Sequence, residues 1–122
     1  MKRLAALLLA AVPAACLACG VCIEDKVAAT YDHAIVTRAL AQHRPVVFAA
    51  IDARQAAPRA VAAVRTAATR VSGVELVTVR TSTDPLAVSF VVNGTDRTPE
   101  QVLADLGRNA SGVKLTMIRV LR

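Results

Sequence analysis

Tryptophan is absent from the 122-residue chain, and the aromatic residues are Tyr31, Phe48 and Phe90 alone. Single-stranded nucleic-acid surfaces stack bases on rings set among basic side chains. None of the three rings sits in an arginine cluster, so a nucleic-acid partner is not expected although the formal net charge is +6. Histidine is nearly as scarce, at His33 and His43. No phosphate-binding loop, serine-nucleophile motif or paired-carboxylate motif occurs. Hydrolysis and phosphoryl transfer therefore have no recognisable constellation of residues, and a non-enzymatic role is the expectation.

A long uninterrupted apolar span is also lacking. Lys2 and Arg3 precede "LAALLLAAV", and small residues follow Pro13, which is the pattern of a secretory signal. A membrane-spanning helix needs about 20 apolar residues. This run is broken by Pro13 and ends at Glu24 and Asp25, so no stable membrane anchor is expected. Cleavage after Ala18 satisfies the small-residue rule with Cys16 and Ala18 at the two specified positions. Cuts after Ala14 or Gly20 satisfy it too. A lipoprotein signal has a branched apolar residue and then two small ones before its cysteine, an order that neither "PAAC" nor "CLAC" follows, so lipid anchoring is the lesser expectation. The expected location is the periplasm or the exterior. Without Lys2 and Arg3 the 15 basic residues become 13 against 9 acidic ones, a balance of +4 that suits a solvated surface.

Cysteine occurs three times, and Cys19 and Cys22 form a CxxC pair in "LACGVCIEDKV". Placed ahead of a helix, such thiols gain from the helix dipole and from free backbone N–H groups, which favour the thiolate. Two thiolates suit a soft ion, so Cys19 and Cys22 are candidate ligands for Cu(I) or Zn(II). With cleavage after Ala18, the α-amine of Cys19 would be a third donor. The same spacing is compatible with an inert disulfide in an oxidising compartment or with thiol–disulfide exchange. It also resembles thioredoxin active sites, without the strand that precedes theirs or the proline they place before the position of "VELVTV". His33 lies eleven residues beyond Cys22. On one continuous helix that is about 16 Å, outside a shared ligand shell. Both histidines are read as surface or core-edge residues.

Past the leader no linker or repeat interrupts the chain. The segment from Glu24 to His43 carries Val27, Tyr31, Ala34 and Ile35 at helical spacing before Pro45, predicting one helix of about five turns. "VVFAAID" from Val46 is a strand apolar on both faces, with Asp52 and Arg54 closing it. A helix follows from Pro58, with Val61, Val64, Ala68 and Val71 on one side and Gly73 as its cap. Two strands, "VELVTVRT" and "LAVSFVV", are joined by "STDP". "TPEQ" places Thr98, Pro99 and Gln101 as a capping box, Gly107 is expected to end that helix, and "VKLTMIRVL" is the last strand. Val46, Phe48, Val77, Val88, Phe90, Val102 and Leu106 are expected to share one core.

From Val46 the order is strand, helix, strand, strand, helix, strand, the α+β arrangement of a ferredoxin-like βαββαβ sandwich. The helix before it is the available cover for the second face of the first strand. The organisation expected is a signal peptide over 1–18, the CxxC segment and N-terminal helix over 19–45, and the sandwich over 46–122.

The stretch "SGVELVTVRTSTDPLAVSFVVNGTDRTPEQVLADL" resembles the heavy-metal-associated domains of copper chaperones and metal-transport ATPases. The resemblance runs from Val46 to about Leu121 and rests on patterning. It implies a ferredoxin-like fold. The loop that holds two metal-binding cysteines in that family is here "DARQAAP", without cysteine, methionine or histidine. The family's metal site does not carry over with the fold. The functions expected are soft-metal binding or handling at Cys19 and Cys22, a non-catalytic interaction module that contacts another exported protein, or a thiol redox protein.

Overall fold

The computed structural model describes residues 15–94 and 96–122, with side chains described from Ile23 onward. The signal segment over 1–18 falls largely outside the described residues. Helix α1 spans Ala15–Thr30 and α2 spans His33–Ala41. Strand β1 is Val46–Ala53, α3 is Ala57–Ala68, β2 is Arg80–Thr83, β3 is Leu86–Val91, α4 is Pro99–Asn109 and β4 is Val113–Leu121. The protein is α+β, with one four-stranded antiparallel sheet in the order β2-β3-β1-β4. Among the described residues no helix is long and apolar enough to cross a membrane.

The doubly apolar β1 is the central feature of the sheet. Pairing of Val47 with Phe90 and of Phe48 with Ser89 directs the two phenylalanines to opposite faces. One face carries Val47, Ala49, Ile51, Val88 and Phe90, and it packs under Ala60, Val64 and Ala67 of α3 and Val102, Leu103 and Leu106 of α4. The other carries Val46, Phe48 and Val91 against Val27 of α1 and Ile35, Val36 and Ala39 of α2. The expected single core is therefore two, separated by the sheet. The N-terminal helical segment does cover the second face.

That segment is two helices instead of one. Thr30 turns its hydroxyl back to the Lys26 carbonyl at 3.3 Å, and Asp32 leaves helical geometry at φ −120° and ψ 111°. The Asp32 carboxylate accepts the Ile35 N–H at 3.2 Å and so caps α2. The restart shifts the buried stripe to Ile35, Val36 and Ala39 and leaves Ala34 and Tyr31 exposed. Of the expected stripe, Val27 and Ile35 are buried, and the break at Asp32 takes Tyr31 and Ala34 off it. At the far end of α2, His43 takes φ +56°. Its N–H donates to Leu40 O and the Arg44 N–H to Ala39 O, a helix stop of the Schellman type with histidine where glycine is usual.

The second predicted strand is also shorter than its valines suggest. Leu76–Thr78 forms a 3₁₀ turn, and Val77 is 74% exposed, outside either core. Thr78 is the cause. Its buried hydroxyl donates to Glu75 O at 2.6 Å and accepts the Val91 N–H at 2.9 Å, so a side chain takes the place of a strand partner for β3. The ladder with β3 on this side is then confined to the polar Arg80–Thr83, with a single bridge from Val74 to Val92 ahead of the turn. Gly73, expected as the cap of α3, lies beyond the actual C-cap Thr69. At φ +98° a Cβ on Gly73 would come within 2.9 Å of Val102 Cγ2, so it serves close approach to α4. The capping box at Thr98 and Gln101 forms as expected, with both reciprocal hydrogen bonds present.

Phe48 and Phe90 are each 1% exposed. Phe48→Ala and Phe90→Ala should each destabilise by about 3–5 kcal/mol in denaturant unfolding. Val77→Ser should change stability by less than about 0.5 kcal/mol. Thr78→Val, which strands the buried Val91 N–H, should cost about 1–3 kcal/mol. A Val77→Ser penalty as large as that of Phe48→Ala would show that Val77 packs in the core.

Candidate interaction edge

The sequence-derived site residues do not form a described site. Cys19 and Cys22 fall within the span of α1 rather than ahead of a helix, and their side chains lie outside the described residues. His33 is exposed, with Nδ1 3.4 Å from Tyr31 Oη and Nε2 3.5 Å from Thr37 Oγ1. His43 is exposed on the left-handed turn after α2. Cys22 and His33 lie on separate helices, α1 and α2, and not on the one continuous helix expected. Among the described residues no group of three or more His, Cys, Asp or Glu could hold a metal ion. Asp52 and Arg54 lie at the end of β1, in a shallow groove with Gly112 and Lys114; Asp52 pairs in register with Lys114.

The two sheet edges are built differently. At one edge β2 is four residues long, Arg-Thr-Ser-Thr. It is tied down by Arg65, which donates to Thr81 Oγ1 from Nε and Nη2, and by Arg80, whose Nε donates to Asp32 Oδ2 at 3.3 Å. At the other edge β4 is nine residues long and mostly apolar, Val-Lys-Leu-Thr-Met-Ile-Arg-Val-Leu. No strand among the described residues pairs with its outer side. Its side chains from Met117 to Leu121 are half-buried, and its inner side pairs with β1 along its length except at Ile118, where the register shifts.

Beside that edge runs a groove of about 420 Å³ between α4 and β4. Its floor is Leu103, Val113, Leu115 and Met117. The wall on α4 is low, because Ala104 and Gly107 face it and a Cβ on Gly107 would meet nothing within 4 Å. Gly107, expected to end the helix, is thus inside α4, which runs on to Asn109. The groove is charged differently at its ends. Glu100 stands near the C-terminus of β4, where its Oε1 lies 3.6 Å from Arg122 Nη2. Arg108 and Lys114 stand at the other end.

Asp105 organises the Arg108 end. Its Oδ1 accepts from Arg108 Nη2 and its Oδ2 from Arg97 Nη2. These bonds, first from Arg97 and then from Arg108, hold the Asp105 carboxyl below its ordinary value against a smaller opposing desolvation. Asp32 is lowered likewise, chiefly by the Ile35 N–H and further by the charge of Arg80, against desolvation.

The residues of this edge were in plain view in the sequence. "VKLTMIRVL" was read as a strand, but nothing in a single sequence tells a central strand from an edge one.

Comparison of the chain with protein-family models, with curated proteins and with solved structures found no match.

A carboxyl whose folded-state pKa is lowered stabilises the protein fully above its unfolded value and loses that contribution as pH falls through the folded one. For Asp32 and Asp105 the ordinary value is 3.8. Unfolding midpoints should therefore be level with respect to these groups near neutrality and drop below about pH 4. In Asp32→Asn and Asp105→Asn the drop should be shallower. Parallel acid profiles for wild type and both variants would remove the ion pairs from any account of acid stability.

Proposed function

We propose that the protein is a small exported, non-catalytic interaction module with a ferredoxin-like βαββαβ sandwich, and that it docks another polypeptide by adding a strand to β4. The observation that carries this reading is the contrast between its edges. Native sheets protect exposed edges by keeping them short, polar or covered. β2 follows that practice and β4, nine residues long with an apolar groove beside it, does not. An open edge offers main-chain hydrogen bonds for affinity, and the flanking groove offers side-chain pockets for selectivity. The likeness to heavy-metal-associated domains supports the sandwich assignment and not their metal site, since "DARQAAP" has no soft ligand.

The test is a photo-crosslinking amino acid placed at Thr116 on β4 or at Thr83 on β2, in cells that export the chain. Adducts are expected from Thr116, weakened by Leu115→Arg, and not from Thr83. No adduct from Thr116, or equal adducts from both edges, would overturn the reading.

A second reading rests on the CxxC spacing of Cys19 and Cys22. The pair, with the α-amine of Cys19 after cleavage at Ala18, would ligate Cu(I) or Zn(II) and leave a position for a partner's donor. The reduced mature protein should bind either ion more tightly than Cys19→Ser and Cys22→Ser. Equal binding, or a mature N-terminus at Val21, removes this reading.

A further inference from the structure

The open edge and its groove carry a more specific inference, which rests on the docking reading above. We propose that the polypeptide that adds to β4 is a second copy of this chain, joined about a two-fold axis through Leu115 so that the two β4 strands run antiparallel and the two sheets become one of eight strands.

A two-fold pairing demands a surface complementary to itself. Pairing about Leu115 sets Val113 opposite the partner's Met117, Leu115 opposite its own counterpart, and Lys114 opposite the partner's Thr116. The three apolar residues lie on the face of β4 that looks toward α4, since their partners Ala53, Ile51 and Ala49 on β1 share the register of that face. The apolar ladder is thus continuous across the junction, and no lysine confronts a lysine. Residues 113–117 are also the regular part of β4, ahead of the register shift that faces the Phe48/Ala49 step. An edge of regular pleat can accept a further strand where a bulged one resists it.

Charge supplies the second argument. The ion pair of Glu100 with Arg122 fixes α4 antiparallel to β4, so Glu100 marks the C-terminal end of the strand and Arg108 the N-terminal end. Glu100 and Arg108 are eight residues apart on one helix, about 12 Å along its axis. Val113 and Met117 are four strand steps apart, about 13 Å. The two spans are of similar length and line the same groove, so an axis through Leu115 that carries Val113 onto the partner's Met117 turns the Arg108 end of one groove toward the Glu100 end of the other, twice in the dimer. Arg108 is already oriented by Asp105. Glu100 also faces Arg122 and Arg108 also faces Asp105, so in the dimer each charge would be shared between its own partner and the opposite charge across the axis, on a chain whose net charge is +6.

The test is sedimentation velocity on the purified exported chain under reducing conditions, across a dilution series. The wild type should pass from dimer to monomer on dilution. Leu115→Arg should be monomeric, and Glu100→Arg or Arg108→Glu should each raise the dissociation constant about tenfold or more. The double variant Glu100→Arg, Arg108→Glu should recover dimerisation, with thermal unfolding of each monomer checked to confirm that the fold is intact. A wild type that is monomeric at every concentration, a dimer indifferent to these substitutions, or a double variant that is no better than the singles would overturn the proposal. If the chain is monomeric while Thr116 still crosslinks a protein of different mass in cells, the docking edge stands and the second copy falls. If Thr116 crosslinks nothing, both fall.

Discussion

Strand β1 cannot be satisfied by one layer of helices. Val46, Val47, Phe48, Ala49 and Ile51 are all at most 5% exposed, and a strand alternates its side chains between faces. Both faces must therefore be roofed, and the rest of the fold follows from that requirement. The α3 and α4 helices roof one face, α1 and α2 the other, and the cost of leaving either bare scales with the apolar area returned to water. The consequence is a three-layer molecule whose two phenylalanines, adjacent across β1 and β3, never meet.

Joining two layers to one sheet creates polar groups at the seams, and each seam is closed by a specific side chain. Ser89, on the face covered by α1, donates its hydroxyl to the Thr30 carbonyl at 2.8 Å, where α1 ends. Asp32 then does two things at once, capping α2 and accepting from Arg80 of β2. Arg119 of β4 donates to Glu24 Oε1 at 2.6 Å, tying α1 to the opposite edge. No buried side-chain nitrogen or oxygen among the described residues is left without a partner. Exposed pairs of this kind add little stability singly. Their effect is on geometry: they set where the covering helices sit, and the apolar contacts supply the energy.

Much of this was legible in the sequence because it depends on local pattern. The double apolarity of "VVFAAID", the capping box at Thr98 and Gln101, and the alternation in "LAVSFVV" each declare their element without reference to anything distant. The errors share one physical cause. Val77 was assigned inward by period, but Thr78 forms its bond to Val91 across the sheet and twists the chain out of the strand. The Glu24 to His43 segment reads as one helix from the spacing of Val27, Tyr31, Ala34 and Ile35, whereas Asp32, which pairs with Arg80 48 residues away, breaks it and caps α2. A polar side chain that makes a long-range bond overrides the local period, and the sequence around it carries no mark of that bond. The cysteine pair is different in kind, since the side chains of Cys19 and Cys22 lie outside the described residues.

The same distinction between local and distant information bears on the open edge. Strand character in "VKLTMIRVL" is a local property, but the position of β4 at the rim of the sheet follows from topology, which puts β1 in the middle by the order β2-β3-β1-β4. With β1 inside the sheet and β4 at its rim, the outer hydrogen-bonding side of β4 is left open by the same order that gives β1 a neighbour on each side. A chain under pressure only to fold could have made β4 short and polar, as β2 is. Retaining nine strand-forming residues there, with a low wall of Ala104 and Gly107 beside them, maintains a surface whose unpaired N–H and C=O groups favour the addition of another strand. The constraint that organises the core thus also determines which edge is available for binding.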